Sequence, residues 1–160
     1  MQFSLIGSEF NYGQLNASKV KVYLRTGCVE ILEQHQDLLG KIENDVIEIE
    51  SNNENQKEIK RFILQEAVFV VSTIKPEVNG SKTAVSVYST GVKELNNELN
   101  LDAVIKEYEE KKGLLEALTD LRKAEENKTK QQSMDSTILL LKSEVEFLRR
   151  TKLIRSDFKG

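Results

Sequence analysis

The side chains most able to do chemistry are sparse: there is one Cys, Cys28, and one His, His35. A thiol and an imidazole suggest a thiolate–imidazole pair, which needs a third group to orient the ring. The strand-and-turn segment between them supplies none, so they read as a small half-buried thiol and a surface imidazole. One Cys and one His cannot furnish the four N/S ligands of a structural zinc site, so no metal is expected. Gly40-Lys41 has the ending of a phosphate-binding loop. Yet His35 stands where that motif needs its first Gly, and Ile42 where it needs Ser or Thr, so the phosphate nest would not form. Gly-x-Ser-x-Gly, the mark of a nucleophile elbow, does not occur in the sequence. The run Glu109-Glu110-Lys111-Lys112 suits a solvated helix face with i,i+4 ion pairs. Arg149-Arg150 could meet acidic partner residues or a nucleotide phosphate, and would equally complement a helix C-terminus. No catalytic residue and no cofactor is expected.

Function must then come from the elements that carry these residues. The chain has 160 residues and a formal charge of −3. Its pI near 5.4 argues against nucleic acid, whose binders usually show a basic face. Apolar runs such as Ile138-Leu139-Leu140-Leu141 are far below the roughly 20 residues that span a bilayer. MQFSLIGSEF lacks the basic and long apolar regions of a secretory signal, and a lone Cys gives no internal disulfide. A soluble intracellular protein of one or two domains is expected.

The composition changes near residue 95. Residues 1–94 hold 11 of the 13 valines and six of the eight glycines, whereas residues 95–160 hold 12 of the 19 leucines. Charged residues number 23 of 94 in the first part and 26 of 66 in the second. Val packs well on a pleated surface, while Leu, Glu, Lys and Ala favour helix. In the first part Ser18 to Leu24, Ile47 to Glu50 and Thr83 to Tyr88 alternate with period two, as half-buried strands do. Lys60 to Ser72 suits two tightly joined strands or one bent strand. Turn signals fall at Asn11-Tyr12-Gly13, Thr26-Gly27, Glu43-Asn44-Asp45, residues 51–55 and Pro76 to Gly80. This predicts an N-terminal antiparallel β-sandwich over 1–94. In the second part Asn100 is an N-cap and Leu101, Val104, Ile105, Tyr108, Leu115, Leu118 and Leu121 follow helical spacing, broken near Gly113. Glu126 to Gln132 reads as a connection and Ser133 as the cap of a second helix, with Ile138, Leu141, Val145 and Leu148 on one face. An antiparallel two-helix hairpin over 95–160 is predicted, making the chain an α+β protein in two parts.

The segment Tyr12 to Ile42, YGQLNASKVKVYLRTGCVEILEQHQDLLGKI, makes that order more specific. It resembles the N-terminal domain of the F-type ATP synthase epsilon subunit. Tyr12 and Gly13 match that family's aromatic–x–Gly start, and Val20-Lys21-Val22 its alternating strand. Gly27 matches the turn, Ile31-Leu32 the apolar pair, His35 the single His, and Leu38-Leu39 the apolar ending. Phe62 to Val71 and Thr83 to Ser89 are similar to its later strands, and 97–155 to its C-terminal helices. The departures are Glu33-Gln34 for Pro–Gly, Gln36-Asp37 for Ala–Pro, Glu66-Ala67 for a double Gly, and an added stretch from Ile74 to Lys82. The family's nucleotide motif, Ile/Leu-Asp-x-x-Arg-Ala, reads Met134-Asp135-Ser136-Thr137-Ile138-Leu139 here. Ile138 replaces the phosphate-binding Arg, so nucleotide binding is not carried over.

The resemblance implies a rotor component without catalysis of its own, in the central stalk of an F-type rotary ATPase, cytoplasmic and peripheral at the inner face of the cell membrane. The β-domain would bind the gamma subunit and, in a complete synthase, sit on the c-ring, coupling rotation to ATP synthesis or hydrolysis. Arg25, Thr26, Gly27 and Cys28 correspond to the ring-facing loop, where Cys28 replaces an acid. Glu33, Gln34 and His35 correspond to the gamma and rotor contact. The hairpin would fold on the sandwich or extend toward the alpha and beta catalytic subunits and restrain hydrolysis, with Arg149, Arg150, Lys152 and Arg155 meeting acidic residues there. Two other classes remain open. One is an epsilon-like subunit of a specialised F-like motor not used for ATP synthesis, of the kind carried by wall-less bacteria, for example driving motility. The other is an unrelated adaptor with a coiled-coil arm.

Overall fold

The computed structural model describes residues 1–53, 56–74 and 82–157, with side chains as far as 154. Contacts divide the chain into two units, Met1–Leu99 and Asn100–Gly160. The expected turn at Pro76 to Gly80 and the side chain of Arg155 lie outside the described residues.

In the first unit the alternating segments form β1 (Gln2–Gly7), β2 (Asn11–Asn16), β3 (Lys19–Leu24), β4 (Gly27–Ile31), β5 (Leu38–Asn53), β6 (Gln56–Ile74), β7 (Lys82–Ser89) and β8 (Val92–Glu94). Their order is β2-β1-β7-β6-β5-β3-β4, with β8 beside β6. The pairings are antiparallel except that β1 runs parallel to β7. A parallel pair needs a long connection, and the chain between β1 and β7 provides one.

β5 and β6 have 16 and 19 residues, against a usual strand of about five or six. That length lets each serve two layers. Residues 38–43 and 66–74 lie with β7, β1 and β2, while 45–53 and 56–64 lie with β3, β4 and β8. The ladder skips Asn44 and Gln65 at the crossing, and Asn44 takes φ +50°, a left-handed conformation that Asn tolerates. The backbone N–H of Gln65 donates instead to the Gly91 carbonyl at 2.9 Å, and Thr90 donates to Glu66 at 2.9 Å. These bonds hand the edge of β6 from β7 to β8. The turn expected at Glu43-Asn44-Asp45 is therefore an interruption inside one strand, and Lys60 to Ser72 is one strand. Asn11-Tyr12-Gly13 opens β2 and makes only a local Asx turn there, Gly13 at φ +54° donating its N–H to the Asn11 side chain at 2.8 Å. The reversal lies before it, closed by Gly7 N–H to the Phe10 carbonyl at 2.9 Å.

The layers enclose a core in which Phe3, Leu5, Val22, Phe62, Phe69 and Val87 are buried; each such apolar side chain stabilises by about 1.5–3 kcal/mol. Gly40 is needed here because a Cβ on it would lie 2.2 Å from the Phe69 ring.

The second unit is α1 (Leu101–Ala124) and α2 (Lys128–Asp157). Asn100 caps α1, its side chain accepting from Ala103 N–H at 3.1 Å. The helix runs through Gly113, whose side has open space. The connection is only Glu125 to Asn127. Asn127, not Ser133, caps α2, accepting from Thr129 N–H at 2.9 Å and Lys130 N–H at 3.2 Å. Residues 128–133 lack apolar period because most of them face solvent, and Lys and Gln are adequate helix formers there.

Candidate interaction surfaces

The two outer faces of the β-unit differ in kind. Around β3 and β4 the outward residues are ion-paired across strands. Lys19 and Lys57 reach Glu50 at 3.4 and 3.0 Å, and Lys21 reaches Glu30 at 4.0 Å. Arg61 pairs with Glu48 at 3.2 Å, and Glu48 also accepts a short hydrogen bond from the Tyr23 hydroxyl. Burial and that carboxylate push the Tyr23 phenol above its ordinary pKa. These partners are neutralised locally.

The outer face of the other layer carries apolar groups instead. Registers Leu39↔Val70 and Lys41↔Val68 continue into Val68↔Tyr88 and Tyr88↔Ile6, so these residues share one face. Leu39 is 70% exposed, Tyr88 51% and Val68 42%. Beside them lies a shallow concavity of about 400 Å³ lined by Ile6, Lys41, Glu66, Val68, Tyr88 and Thr90 among others. This face is not among the contacts expected from the sequence. Its signal was Ala67 to Val71, a run apolar on both sides of one strand, which marks a strand covered on both faces.

The residues expected at the rotor contact occupy the link between β4 and β5. Glu33 is tied inward: one oxygen is 2.8 Å from the Met1 α-amine and the other accepts the Thr83 N–H at 2.6 Å. These bonds, the amine's first, hold its carboxyl below the usual carboxylate range. Gln34 takes φ +66°, and its N–H donates to the Thr83 hydroxyl at 2.7 Å. His35 is half-buried, with Nδ1 2.7 Å from the Gln36 carbonyl, so that nitrogen carries the proton. Glu33 and Gln34 thus fasten the link to β7. Arg25, Thr26, Gly27 and Cys28 form the exposed β3–β4 turn, with Gly27 at φ +145°, a value Gly adopts freely. They lie at the opposite end of β4 from Glu33 to His35, so the structure does not bring the two sets together. Cys28 is an exposed free thiol and is not near His35 in the chain's pairing.

On the hairpin Arg149 and Lys152 are engaged within their own unit. Arg149 grips Glu146 at two points, 2.6 and 2.9 Å, and that guanidinium lowers the Glu146 pKa. Lys152 lies 4.6 Å over the Tyr108 ring, and Arg150 is half-buried. Asp135, in the degraded nucleotide motif, is held by Arg122, while Ile138 is buried and Met134 half-buried. Leu114, Leu121, Leu139 and Leu140 remain exposed. Among the described residues no three His, Cys, Asp or Glu side chains gather as a metal site, and no helix is long and apolar enough to cross a membrane.

No protein-family model matches the chain, and no curated protein matches its sequence. Solved structures do resemble it. A chain of the Euglena gracilis mitochondrial ATP synthase, in the OSCP/F1/c-ring assembly in rotational state 1, is similar with a TM-score of 0.55 at 10% identity. The match covers 96% of this chain and 79% of that one. A chain of the Tetrahymena thermophila mitochondrial ATP synthase central stalk and c-ring has a TM-score of 0.44 at 10% identity, covering 90% and 95%. The first likeness establishes a common fold.

Proposed function

We propose that the protein is a non-catalytic central-stalk subunit of an F-type rotary ATPase. The observation that carries this is the fold likeness over 96% of the chain, sandwich and hairpin together, to a chain of an ATP synthase assembly. The apolar face of Leu39, Val68 and Tyr88 is where the β-unit meets a gamma-like subunit, since ion pairing leaves the β3–β4 side fewer free groups. Glu33 and Gln34 hold the edge of that face in shape rather than reaching the partner themselves. The exposed turn Arg25 to Cys28 is the end that meets a c-ring where one is present. The hairpin restrains hydrolysis by approaching the alpha and beta catalytic subunits. Arg149, Arg150 and Lys152 contribute there only by exchanging their present partners. Arg155 is assigned with them on sequence grounds.

A specialised F-like motor is the second reading. It is favoured by the Arg25-Thr26-Gly27-Cys28 turn, which offers no carboxylate to a ring. Affinity purification of the tagged full chain tests both. Alpha, beta and gamma chains with a c-ring support the synthase subunit, and the same chains without a ring support the motor. Recovery of none of them overturns both.

A further inference from the structure

We propose that β4 is a docking edge, which takes an extended segment of another protein as an added strand. That segment alternates apolar residues with a Lys or Arg. The edge is distinct from the face of Leu39, Val68 and Tyr88, and it stands whether or not the chain serves a rotary ATPase.

The edge is regular and open. β4 ends the strand order, and all five of its residues stand in unbroken register with β3. Arg25-Thr26 is a two-residue turn, so Leu24 and Gly27 close it as a hydrogen-bonded pair. Hydrogen-bonded and non-bonded pairs alternate along an antiparallel ladder. Val29 and Ile31 therefore bond to β3, while Cys28 and Glu30 turn their N–H and C=O groups away from it. Among the described residues no backbone group meets those two. The opposite end of the order is guarded. β1 and β2 shift register between Ser4 and Ile6, and the Asn11 side chain takes the Gly13 N–H. Such irregularity keeps a further strand from pairing. β4 has no register shift against β3, no Pro and no Lys.

The side chains specify what the added strand carries. Arg61, Glu48, Lys21 and Glu30 lie in one row across β6, β5, β3 and β4, alternating in sign. The row ends at Glu30, whose side chain is 51% exposed and only comes within 4.0 Å of Lys21. A cation on the next strand continues it, because opposite charges directly across strands attract. On the inner side Val22 is buried, but Val29 opposite it is only half-buried against the core. An apolar residue beside Val29 extends that core over its rim. β3 already shows the pattern that β4 accepts, with Val20, Lys21 and Val22 opposite Ile31, Glu30 and Val29. A second copy of β4 lacks it, having no cation to answer Glu30. Main-chain hydrogen bonds give such a strand its affinity, and the alternating side chains give it specificity.

Hydrogen exchange at single-residue resolution tests the proposal, on the full chain alone and in the assembly recovered with its affinity tag. In the isolated chain the Val29 and Ile31 amides should be protected, while those of Cys28 and Glu30 exchange freely. In the assembly Cys28 and Glu30 should slow at least about tenfold, as amides do on entering a ladder. Unchanged exchange there overturns the proposal, whichever chains are recovered. Protection that rises with the concentration of the isolated chain assigns the strand to a second copy and also overturns it. Two variants give a second readout, each first checked for a cooperative thermal transition. Glu30→Pro removes an outward N–H, which an edge strand tolerates, and should release one chain from the assembly. Glu30→Lys keeps that N–H but opposes the expected cation, and should cut recovery of the same chain at least about tenfold. Should Glu30→Pro fail to fold, Glu30→Lys decides. Folded variants that retain every chain, or slowing at Cys28 that survives Glu30→Pro, mean cover by a surface and overturn the added strand.

Discussion

Arg122 and Asp135 form a two-point ion pair across the hairpin, with Nε 2.6 Å from Oδ1 and Nη2 3.3 Å from Oδ2. The guanidinium hydrogen bond lowers the Asp135 pKa. A carboxyl whose folded pKa is depressed adds stability above its unfolded value, near 3.9, and loses it as pH falls through the folded value. Asp135→Asn should therefore melt below the wild type at pH 7. The gap should close as the pH drops below about 4 and narrow in high salt. Thermal denaturation followed by circular dichroism at several pH values checks this. A gap constant with pH would show that the charge is idle.

The same pair bears on nucleotide binding. Asp135 is occupied by Arg122, and the side chain that would replace a phosphate-binding Arg, Ile138, is buried. Titration calorimetry of ATP into the isolated chain should show no binding at micromolar concentration. A micromolar isotherm would require Asp135 to leave Arg122.

Gly40 should not tolerate a side chain. A Cβ there would press on the Phe69 ring, which is itself buried. Overpacking of this kind costs about 1–3 kcal/mol, so Gly40→Ala should lower the urea midpoint with little change in slope. Gly113→Ala, which meets open space in a helix, should instead gain up to about 1 kcal/mol.

The apolar outer face predicts a separation of folding from association. Leu39→Glu and Tyr88→Ser alter exposed groups, so stability should move by no more than about 0.5 kcal/mol. Recovery of the partner in affinity purification should fall at least tenfold, because a buried unpaired charge is costly at an interface. Lys21→Ala, on the ion-paired side, should leave recovery unchanged.

The contact division after Leu99 predicts that residues 1–99 fold alone. A cooperative thermal transition and a strand-type circular dichroism spectrum are expected. A molten spectrum would mean that the hairpin is required for the sandwich to form.

Much of the fold was legible because side-chain period reports burial directly. Val20 and Val22 alternate with Lys19 and Lys21, and they became the inward and outward faces of β3. Asn100 was readable as a cap because its side chain competes for backbone N–H groups. Asn127 performs the same task, but the polar residues after it hide the start of α2 in the sequence. Asn44 looked like a turn residue for a sound reason: it does adopt a left-handed conformation, but within a strand. The interaction face was the least legible part. Leu39, Val68 and Tyr88 are far apart in sequence and meet only through the β5–β6–β7 register. The charged residues that drew attention, Glu33 and Arg149, are largely absorbed in contacts inside their own units.

The length of β5 and β6 has a mechanical consequence. Two ordinary sheets pressed face to face can slip, because only side chains join them. Here the same two strands run through both layers, so covalent backbone spans the boundary. A sideways load on Leu39 or Val68 enters strands whose other halves are clamped between β3 and β8. Such a load is carried along peptide bonds in tension, and yielding would need the hydrogen-bonded ladder to fail on both sides of Asn44. Backbone thus ties the two layers together, and they should resist sliding over one another more than layers joined by side chains alone.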